Sequence, residues 1–221
     1  MKDLQLLIIR KDLKKTIQIL QNIVSRKGSS KVLTFSIPHV FKALQLLSKE
    51  KFVSRATFGK EIHLGEGAVK TLISHLKEAQ MIETTKSGSY LTEKGKKISK
   101  QIQQIIPNEC KIKKCDVVTG KNNHAIILKK YGFSINSGLE QRDYAILYGS
   151  SGCITVLFKE NRFVFPGDNK DCFRKDKKTK KHILENLFPE EGDVIIISSS
   201  DDPFVAEISA KNSALWTLAT N

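Results

Sequence analysis

The sequence has few of the features that mark secreted or membrane-embedded proteins. Its 221 residues include only four cysteines, all in the second half and none at CxxC spacing, which excludes a dense disulfide framework. No run approaches the roughly 20 consecutive apolar residues of a membrane span. The apolar residues 6–9 are followed at once by charged residues, so they predict neither a membrane helix nor a signal peptide. We therefore expect a cytoplasmic protein that does not contact membranes.

Motifs for metal binding and catalysis are also missing. Structural zinc sites favour cysteine pairs two to four residues apart, and this chain does not supply two such pairs. Residues 149–152, Gly-Ser-Ser-Gly, have neither the lysine of a P-loop nor a three-glycine spacing, so we interpret them as a helix stop and a turn. No local sequence indicates a nucleophilic triad. We expect no metal, no cofactor and no enzymatic activity. The cysteines and histidines considered for zinc are Cys110, Cys115, His124, Cys153, Cys172 and His182.

Positive charge, in contrast, is in excess and is unevenly distributed. The chain has 37 Lys+Arg and 23 Asp+Glu, a formal net charge of +14. Residues 1–107 hold 20 of the basic and 8 of the acidic side chains, net +12, and the remaining chain carries net +2. A surface for a polyanion therefore belongs to the first half. Pro107 ends a polar helical pattern and marks the boundary between two domains, 31–107 and 108–221.

Residues 1–30 form a segment of their own, ahead of the first domain. Residues 4–25 repeat apolar side chains every three to four positions, which predicts an amphipathic helix. Its apolar stripe could pack on its own domain, form a dimer with a second copy, or lie on a membrane surface, and the lack of aromatic anchors disfavours the membrane. The stripe consists of Leu6, Ile9, Leu13, Ile17, Leu20 and Val24.

Between residues 31 and 107 the predicted elements follow one another closely. Ser36 and Pro38 are typical of a helix start, and Ser54 caps the next helix. The predicted order is a helix with Val40, Phe41, Leu44 and Leu47 buried, a helix over 55–63, a break at 64–67, a helix over 68–79, a hairpin over 81–85 and 89–91, and a closing helix that ends near Ile106.

This order, together with Leu-Gly-Glu-Gly at 64–67 and Tyr-Leu-Thr-Glu-Lys-Gly at 90–95, resembles winged helix-turn-helix transcription regulators. More narrowly, residues 36–221 resemble an archaeal family that joins such a domain to a carboxy-terminal domain of unknown function. Residues 138–143, 149–152 and 165–167 carry this second resemblance. The resemblance implies a DNA-binding regulator in which the third helix enters the major groove and the wing lies against phosphates.

The candidate DNA-binding residues lie on the second helix, the third helix and the wing. Lysine can pair with phosphate or guanine, while Thr and Ser donate to phosphate or base edges. The alternatives are a solvated helix face or a protein-binding module. The set comprises Arg55 and Lys60 on the second helix, Glu66, Gly67, Lys70, Thr71, Ser74 and Lys77 at the third, and Lys86 and Ser87 on the wing. We expect His75, beside them, to be a surface or groove residue.

The second half alternates short β-prone and helical runs in the order ββαββαβα. This order predicts a two-layer α/β sandwich with a mostly antiparallel sheet, so the whole chain is α+β. The segments are β-prone runs at 115–118 and 125–129, a helix over 138–147, a hairpin over 153–158 and 162–165, a helix over 178–187, a strand over 193–198 and a helix over 203–218.

Three charged residues, Glu140, Arg142 and Asp143, follow Gly138 near a predicted helix start. They could line a pocket for a small-molecule effector, although acidic residues are favourable at a helix start by its dipole alone. Because symmetric operators are bound by dimers, we expect a homodimer on duplex DNA. The rival hypothesis is an RNA-associated or nucleotide-metabolising protein with an accessory winged helix. The basic run 170–181 is typical of a solvated loop, or it adds nucleic-acid affinity.

Overall fold

The computed structural model of the chain describes residues 2–25, 33–118 and 120–220, and side chains from residue 13 onward. The chain divides into two compact units, unit 1 (Met1–Ile102) and unit 2 (Gln103–Asn221). Unit 1 contains α1 (Lys2–Ile23), α2 (Ile37–Lys49), α3 (Arg55–Ile62), α4 (Glu66–Glu78), β1 (Ile82–Thr85), β2 (Gly88–Leu91) and most of α5 (Glu93–Ile105). The predicted order of helices and hairpin is confirmed.

The first helix packs on its own unit. Leu13, Ile17, Leu20 and Ile23 are at most 4% exposed, and Thr16 donates a hydrogen bond to Gln101 on α5. Ile23, the last residue of α1, takes the buried position that the sequence predicted for Val24. The side chains of Leu6 and Ile9 lie outside the described part. From residue 13 onward, the stripe is therefore part of the hydrophobic core of unit 1.

Helix α4 begins two residues earlier than the sequence predicted. Gly65 has an extended backbone (φ −66°, ψ 160°) and caps the helix, and Glu66 is its first residue. A carboxylate in the first turn is stabilised by the helix dipole, so Glu66 favours this earlier start. The predicted break at 64–67 therefore shortens to Leu64 and Gly65, and Gly67 lies inside the helix.

The wing is a β1–β2 hairpin in which Thr85 pairs with Gly88 across a two-residue turn. Val53 pairs with Ser89 through two backbone hydrogen bonds of 2.9 Å. This isolated antiparallel bridge joins the segment before α3 to the β2 side of the hairpin. Gly88 has φ +131°, and a Cβ there would lie 2.8 Å from the Val53 carbonyl oxygen. The wing therefore needs glycine where it crosses the chain before α3.

Unit 2 contains one antiparallel sheet with strand order β3-β4-β7-β5-β6. The predicted order of elements, and with it the α+β class, is confirmed. The elements are β3 (Glu109–Ile112), β4 (Asn122–Leu128), a short 3₁₀ helix (Gly132–Ser134), α6 (Leu139–Ile146), β5 (Gly152–Lys159), β6 (Arg162–Val164), α7 (Lys177–Leu187), β7 (Val194–Ser200) and α8 (Pro203–Thr220).

The prediction of a strand at 115–118 is wrong. Cys115 and Val118 close a tight loop by exchanging backbone hydrogen bonds of 2.8 and 3.2 Å, and the strand lies earlier, over Glu109–Ile112. Backbone groups that bond within a loop are not available to a neighbouring strand. The β-prone residues of this segment therefore form a turn, while Val118 contributes to the core as a side chain.

Helices lie against the sheet of unit 2. Because side chains alternate along a strand, Ile195 and Ile197 share one face, which packs with Ile183 and Leu187 of α7. The opposite face, which includes Ile196, is covered by α8, and α6 packs on α8 and β5. The helices α6 and α8 supply the second layer of the predicted sandwich, and α7 adds cover on the other face near β3.

Candidate nucleic-acid interface

Helix α4 has one buried face and one open face. Val69, Leu72, Ile73 and Leu76 are at most 6% exposed and belong to the core of unit 1. Lys70, Ser74 and Lys77 are exposed, and Thr71 is half-buried beside them. The amphipathic pattern thus positions the helix so that its polar face is accessible to a macromolecule, which is what a reading helix requires.

The polar face of α4 is internally organised. Lys70 pairs with Glu66 at 2.9 Å, and this ion pair holds the pKa of the exposed Glu66 carboxyl below its usual range. Thr71 donates to the Gly67 carbonyl at 3.0 Å, and Ser74 donates to the Glu78 carboxylate at 3.2 Å. Lysine Nζ can donate several hydrogen bonds, so Lys70 can contact a phosphate while it remains beside Glu66.

Lys77 differs from Lys70, since within the described residues no carboxylate lies at ion-pair distance from it. Its ammonium is therefore available to an external anion. Gly67 adds a second accessible feature, because a Cβ at this position would meet nothing within 4 Å. The first turn of α4 thus exposes backbone that another molecule can approach closely.

The candidate residues outside α4 are all exposed. Arg55, the first residue of α3, lies close enough to Glu66 to lower the pKa of its carboxyl, so the structure brings these two together. Lys60 lies in the last turn of α3. Lys86 and Ser87 form the tip of the wing, where the Ser87 N–H donates to Thr85.

The wing carries less charge than a phosphate-binding hairpin would suggest. Lys86 is its one cation, and Glu83 its one acid. The Glu83 carboxylate accepts a hydrogen bond from the Tyr90 hydroxyl. Lys86 is therefore alone at the tip, and the other candidate cations, two on α3 and two on α4, stand beside three acids on the same helices.

His75 is half-buried and lines a groove of unit 1, as the sequence predicted, and it also makes structural contacts. Its Nδ1–H donates to the Ile23 carbonyl at the end of α1, 2.6 Å away, and its ring meets Phe35 edge-on at 5.7 Å between centroids. A carbonyl accepts only, so this contact fixes the imidazole tautomer. His75 joins α4 to α1 and thus contributes to the structure of unit 1.

The three residues predicted to line a ligand pocket lie on the surface of α6. Glu140, Arg142 and Asp143 are exposed, and Arg142 pairs with Asp143 at 3.1 Å. Between them Gln141 is buried and donates to Thr217 on α8. None of the three lines the cleft beside Arg162 or the cavity beside Gly120, so a ligand role for them stays a prediction.

A buried ionic cluster in unit 2 was not predicted from the sequence. Lys211 on α8 is fully buried and pairs with Glu109 on β3 and, at 3.3 Å, with Glu207. His124 on β4 contacts the same Glu109 carboxylate at 3.2 Å. Burial raises the pKa of Glu109, but Lys211 and His124 outweigh it, and the pKa falls below its usual range. No local signal distinguishes Lys211 from a surface lysine, because its burial depends on the packing of α8.

The cysteines are free, and no group of three or more His, Cys, Asp or Glu within the described ranges could hold a metal ion. Burial raises the pKa of Cys110, Cys153 and Cys172 to about 12, so these thiols stay protonated at neutral pH and are poor nucleophiles. Their surroundings are those of small core side chains.

In unit 1, the helices, the wing and the exposed polar face of α4 define the class: a winged helix-turn-helix domain, joined to an α+β domain with an antiparallel sheet. The comparisons make this more specific. Residues 37–106 match the family model "CggR N-terminal DNA binding domain", and residues 118–218 match "Domain of unknown function (DUF4443)". Each half of the chain is thus similar to a different family, the first half to a DNA-binding domain and the second to a domain of unknown function.

One similar solved structure is titled "Hypothetical protein PH0730 from Pyrococcus horikoshii OT3". It is 28% identical to this chain with a TM-score of 0.66, and the match covers 81% of this chain and 91% of the other. No curated protein matches the chain. Over the described residues, no helix is both long enough and apolar enough to cross a membrane.

Proposed function

We propose that the protein is a cytoplasmic transcription regulator that reads duplex DNA with α4 in the major groove. The observation that carries the proposal is the match of residues 37–106 to a DNA-binding domain together with the open polar face of α4. Lys77 and Lys70 would contact phosphate or guanine, and Ser74 and Thr71 would supply further donors. Arg55, Lys60, Lys86 and Ser87 would contact the backbone on either side.

Glu66 and Gly67 have different parts in this proposal. The Glu66 carboxylate repels phosphate and competes with it for Lys70, so it would lower affinity for DNA of any sequence. It would favour sites where the carboxylate accepts a hydrogen bond from a base, such as from cytosine N4. Gly67 admits the close approach of the DNA backbone to the first turn of α4. Together they would contribute specificity, whereas the lysines contribute affinity.

The test is a fluorescence-anisotropy titration of the full chain against random-sequence duplex DNA, single-stranded DNA and transfer RNA at two salt concentrations. The variant Lys70→Ala/Lys77→Ala should lose duplex affinity, and its plot of log K against log salt should flatten by about 2, since each phosphate contact contributes roughly 0.9 to the slope. A matched control, Lys97→Ala/Lys100→Ala, removes two exposed lysines from α5.

A third variant should raise the affinity for duplex DNA. Glu66→Gln removes a negative charge and leaves Lys70 unpaired, so we expect tighter binding to random duplex at low salt. Wild-type protein that fails to bind duplex, or a double variant that binds as the control does, would contradict a reading role for α4. A clear preference for transfer RNA would instead select the RNA-associated alternative.

The proposal extends to a homodimer and a small-molecule effector that acts through unit 2. Two-fold symmetric regulators match operators with two half-sites, which supports the dimer. Leu139 and Ile146 of α6 are 53% and 48% exposed, and Leu147, which follows the helix, is 76% exposed. Together they form an apolar surface that a second copy could cover. Sedimentation equilibrium of the wild type beside Leu147→Glu tests this, and a wild type that stays monomeric at micromolar concentration would refute it.

A further inference from the structure

Unit 2 contains a cleft of about 680 Å³ that the proposed reading helix does not use. Its walls come from the loop before β4, from Arg162 on β6, and from the segment between β6 and α7. Residues 170–181, which form much of that segment and the start of α7, contain seven Lys+Arg and two Asp. This is the most basic stretch in a unit that is otherwise close to neutral.

Three acidic residues in this region, Asp168, Asp171 and Asp176, make contacts within the protein, and a fourth, Asp116, also lines the cleft. Asp168 accepts from the N–H groups of Asn169 and Lys170, and Asp176 accepts from the Thr179 N–H as the cap of α7. Asp171 holds Lys180 at 2.6 Å. The carboxylates keep their negative charge in these contacts, and the positive excess is what remains: residues 170–181 hold seven Lys+Arg and two Asp, net +5.

Five cations remain, and we call them the cationic rim: Lys170, Arg174, Lys175, Lys177 and Lys178. All five are exposed, and no carboxylate of the described chain lies within ion-pair distance of any of them. The cationic rim begins in the cleft and continues onto the first turn of α7. It is therefore an extended surface, longer than a site for a single anion.

The position of Lys177 and Lys178 is unfavourable for the helix itself. They occupy the first turn of α7, where the helix dipole puts a partial positive charge, and the cap residue Asp176 is the acid at this helix start that offsets it. Like charges at a helix start lower helix stability by a few tenths of a kcal/mol or more. Side chains that conflict with their local structure are often found where a ligand is bound, and basic side chains favour an anionic ligand.

We infer that the cationic rim and its cleft bind the phosphate backbone of nucleic acid, as a second contact separate from α4. The inference rests on the proposed function, because it takes duplex DNA as the polyanion. The contact is independent of base sequence, since exposed lysines and an arginine offer charge without a fixed geometry for base edges. The cleft thiol takes no part, because burial and Asp171 raise the pKa of Cys172 to about 12.

Phosphate groups also occur on free nucleotides, and the test has to separate the two sources. The full chain is titrated with random-sequence duplex DNA over a range of salt concentrations, and with adenosine monophosphate. The first variant, Arg174→Gln/Lys175→Gln, removes two charges at the cleft. The control, Lys121→Gln/Lys130→Gln, removes two exposed lysines of unit 2 that do not line it.

A second variant, Lys177→Glu/Lys178→Glu, guards against misfolding. Acidic residues suit the first turn of a helix, so this variant should be at least as stable as the wild type. Both variants should weaken duplex binding roughly tenfold at 0.1 M salt and flatten the salt slope by about 2, while the control changes little. Lost affinity in a protein with unchanged or higher stability cannot come from unfolding.

Each outcome decides between the proposals. If both cleft variants bind duplex as the control does, the inference about the cleft is wrong, while loss of binding by the α4 variant would still support the proposed function. If the cleft variants lose duplex binding and the α4 variant does not, the inference about the cleft is supported and the proposed role of α4 in reading DNA is wrong. Wild-type binding of adenosine monophosphate that the cleft variants lose, with duplex affinity unchanged, would overturn the assignment to nucleic acid. A wild type that does not bind duplex at all would overturn both.

Discussion

Gly67 and Gly95 both lie in helices of unit 1, but the space around them is opposite. A Cβ on Gly67 would meet nothing within 4 Å, whereas a Cβ on Gly95 would lie 2.0 Å from the Met81 carbonyl oxygen. We therefore expect Gly67→Ala to stabilise the protein by about 0.5–1 kcal/mol, through helix propensity, and to weaken DNA binding. We expect Gly95→Ala to destabilise it by about 3 kcal/mol, since backbone must move.

Urea denaturation of the two alanine variants measures both changes, and anisotropy measures the DNA affinity of Gly67→Ala. The two substitutions are chemically identical and lie in the same unit, so each is the control for the other. Equal shifts in the unfolding midpoint would mean that neither the open approach at Gly67 nor the tight contact at Gly95 exists in solution.

His39 makes the stability of unit 1 depend on pH. Burial, and secondarily Lys42, lowers the pKa of its imidazole to about 4, and its Nδ1 accepts from the Ser36 N–H at 3.3 Å. The unfolded chain takes up this proton near pH 6.5 and the folded chain only near pH 4. Stability from His39 is therefore complete above pH 6.5 and falls, by up to about 3 kcal/mol, as the pH drops to 4.

The variant His39→Gln checks this dependence, because glutamine keeps an acceptor for the Ser36 N–H and does not titrate. The free energy of unfolding, measured at pH 7 and pH 4.5, should fall further for the wild type than for His39→Gln. Subtracting the decrease in the free energy of unfolding of His39→Gln from that of the wild type cancels the contribution of the carboxylates, which both proteins share. An equal loss in both proteins would show that His39 has an ordinary pKa.

At the residue level, the sequence predicts which side chains are exposed better than it predicts which residues they contact. Lys70, Ser74 and Lys77 are exposed because helical periodicity places them opposite Val69 and Leu72, and periodicity can be read from one sequence. The contacts of His75 with Ile23 and of Lys211 with Glu109 join residues far apart in the chain. Such contacts depend on how helices pack, which local patterns do not contain.

Among the elements, α1 is the one for which the sequence left the most alternatives open about what covers its apolar stripe. Leu20 is fully buried within unit 1, so Leu20→Ala should lower the free energy of unfolding by about 2–5 kcal/mol. The exposed Gln18 on the same helix provides the control, because Gln18→Ala should change it by no more than about 0.5 kcal/mol. Urea denaturation measures both. A small effect of Leu20→Ala, or one that depends on protein concentration, would favour a dimer-forming helix.

The elements that the sequence predicted well are those in which apolar residues recur regularly over many positions. The strand β3 was missed because it is a short edge strand: of its four residues, Glu109–Ile112, only Ile112 is buried. An edge strand with polar side chains has little alternation to detect. The wrong strand at 115–118 has the opposite cause, since its β-prone side chains pack on the core from a turn.

For the molecule as a whole, the sequence yields the order of elements but not the order of strands in space. The order ββαββαβα is compatible with several antiparallel sheets. In the structure, β7 lies between β4 and β5 and is the one strand that links the β3-β4 pair to the β5-β6 pair. The pairings of β7 are long-range along the chain, and nothing in its apolar run specifies its neighbours.

We expect this topology to separate the two units in refolding kinetics. Unit 2 closes its sheet through long-range pairs and should refold more slowly than the mainly helical unit 1. The chain has one tryptophan, Trp216, which stacks on Tyr144 within unit 2 at 5.9 Å between centroids. Stopped-flow circular dichroism should therefore show a fast phase that tryptophan fluorescence lacks. Identical kinetics from both probes would mean that the units fold together.

The central position of β7 also has a consequence for synthesis on the ribosome. Residues 194–200 emerge after the strands of both pairs, β3-β4 and β5-β6, and until then these two pairs expose unpaired edges. The winged helix is complete long before that point. A nascent chain is thus able to fold its winged-helix unit first, and we expect the unfinished carboxy-terminal sheet to be the part most exposed to aggregation.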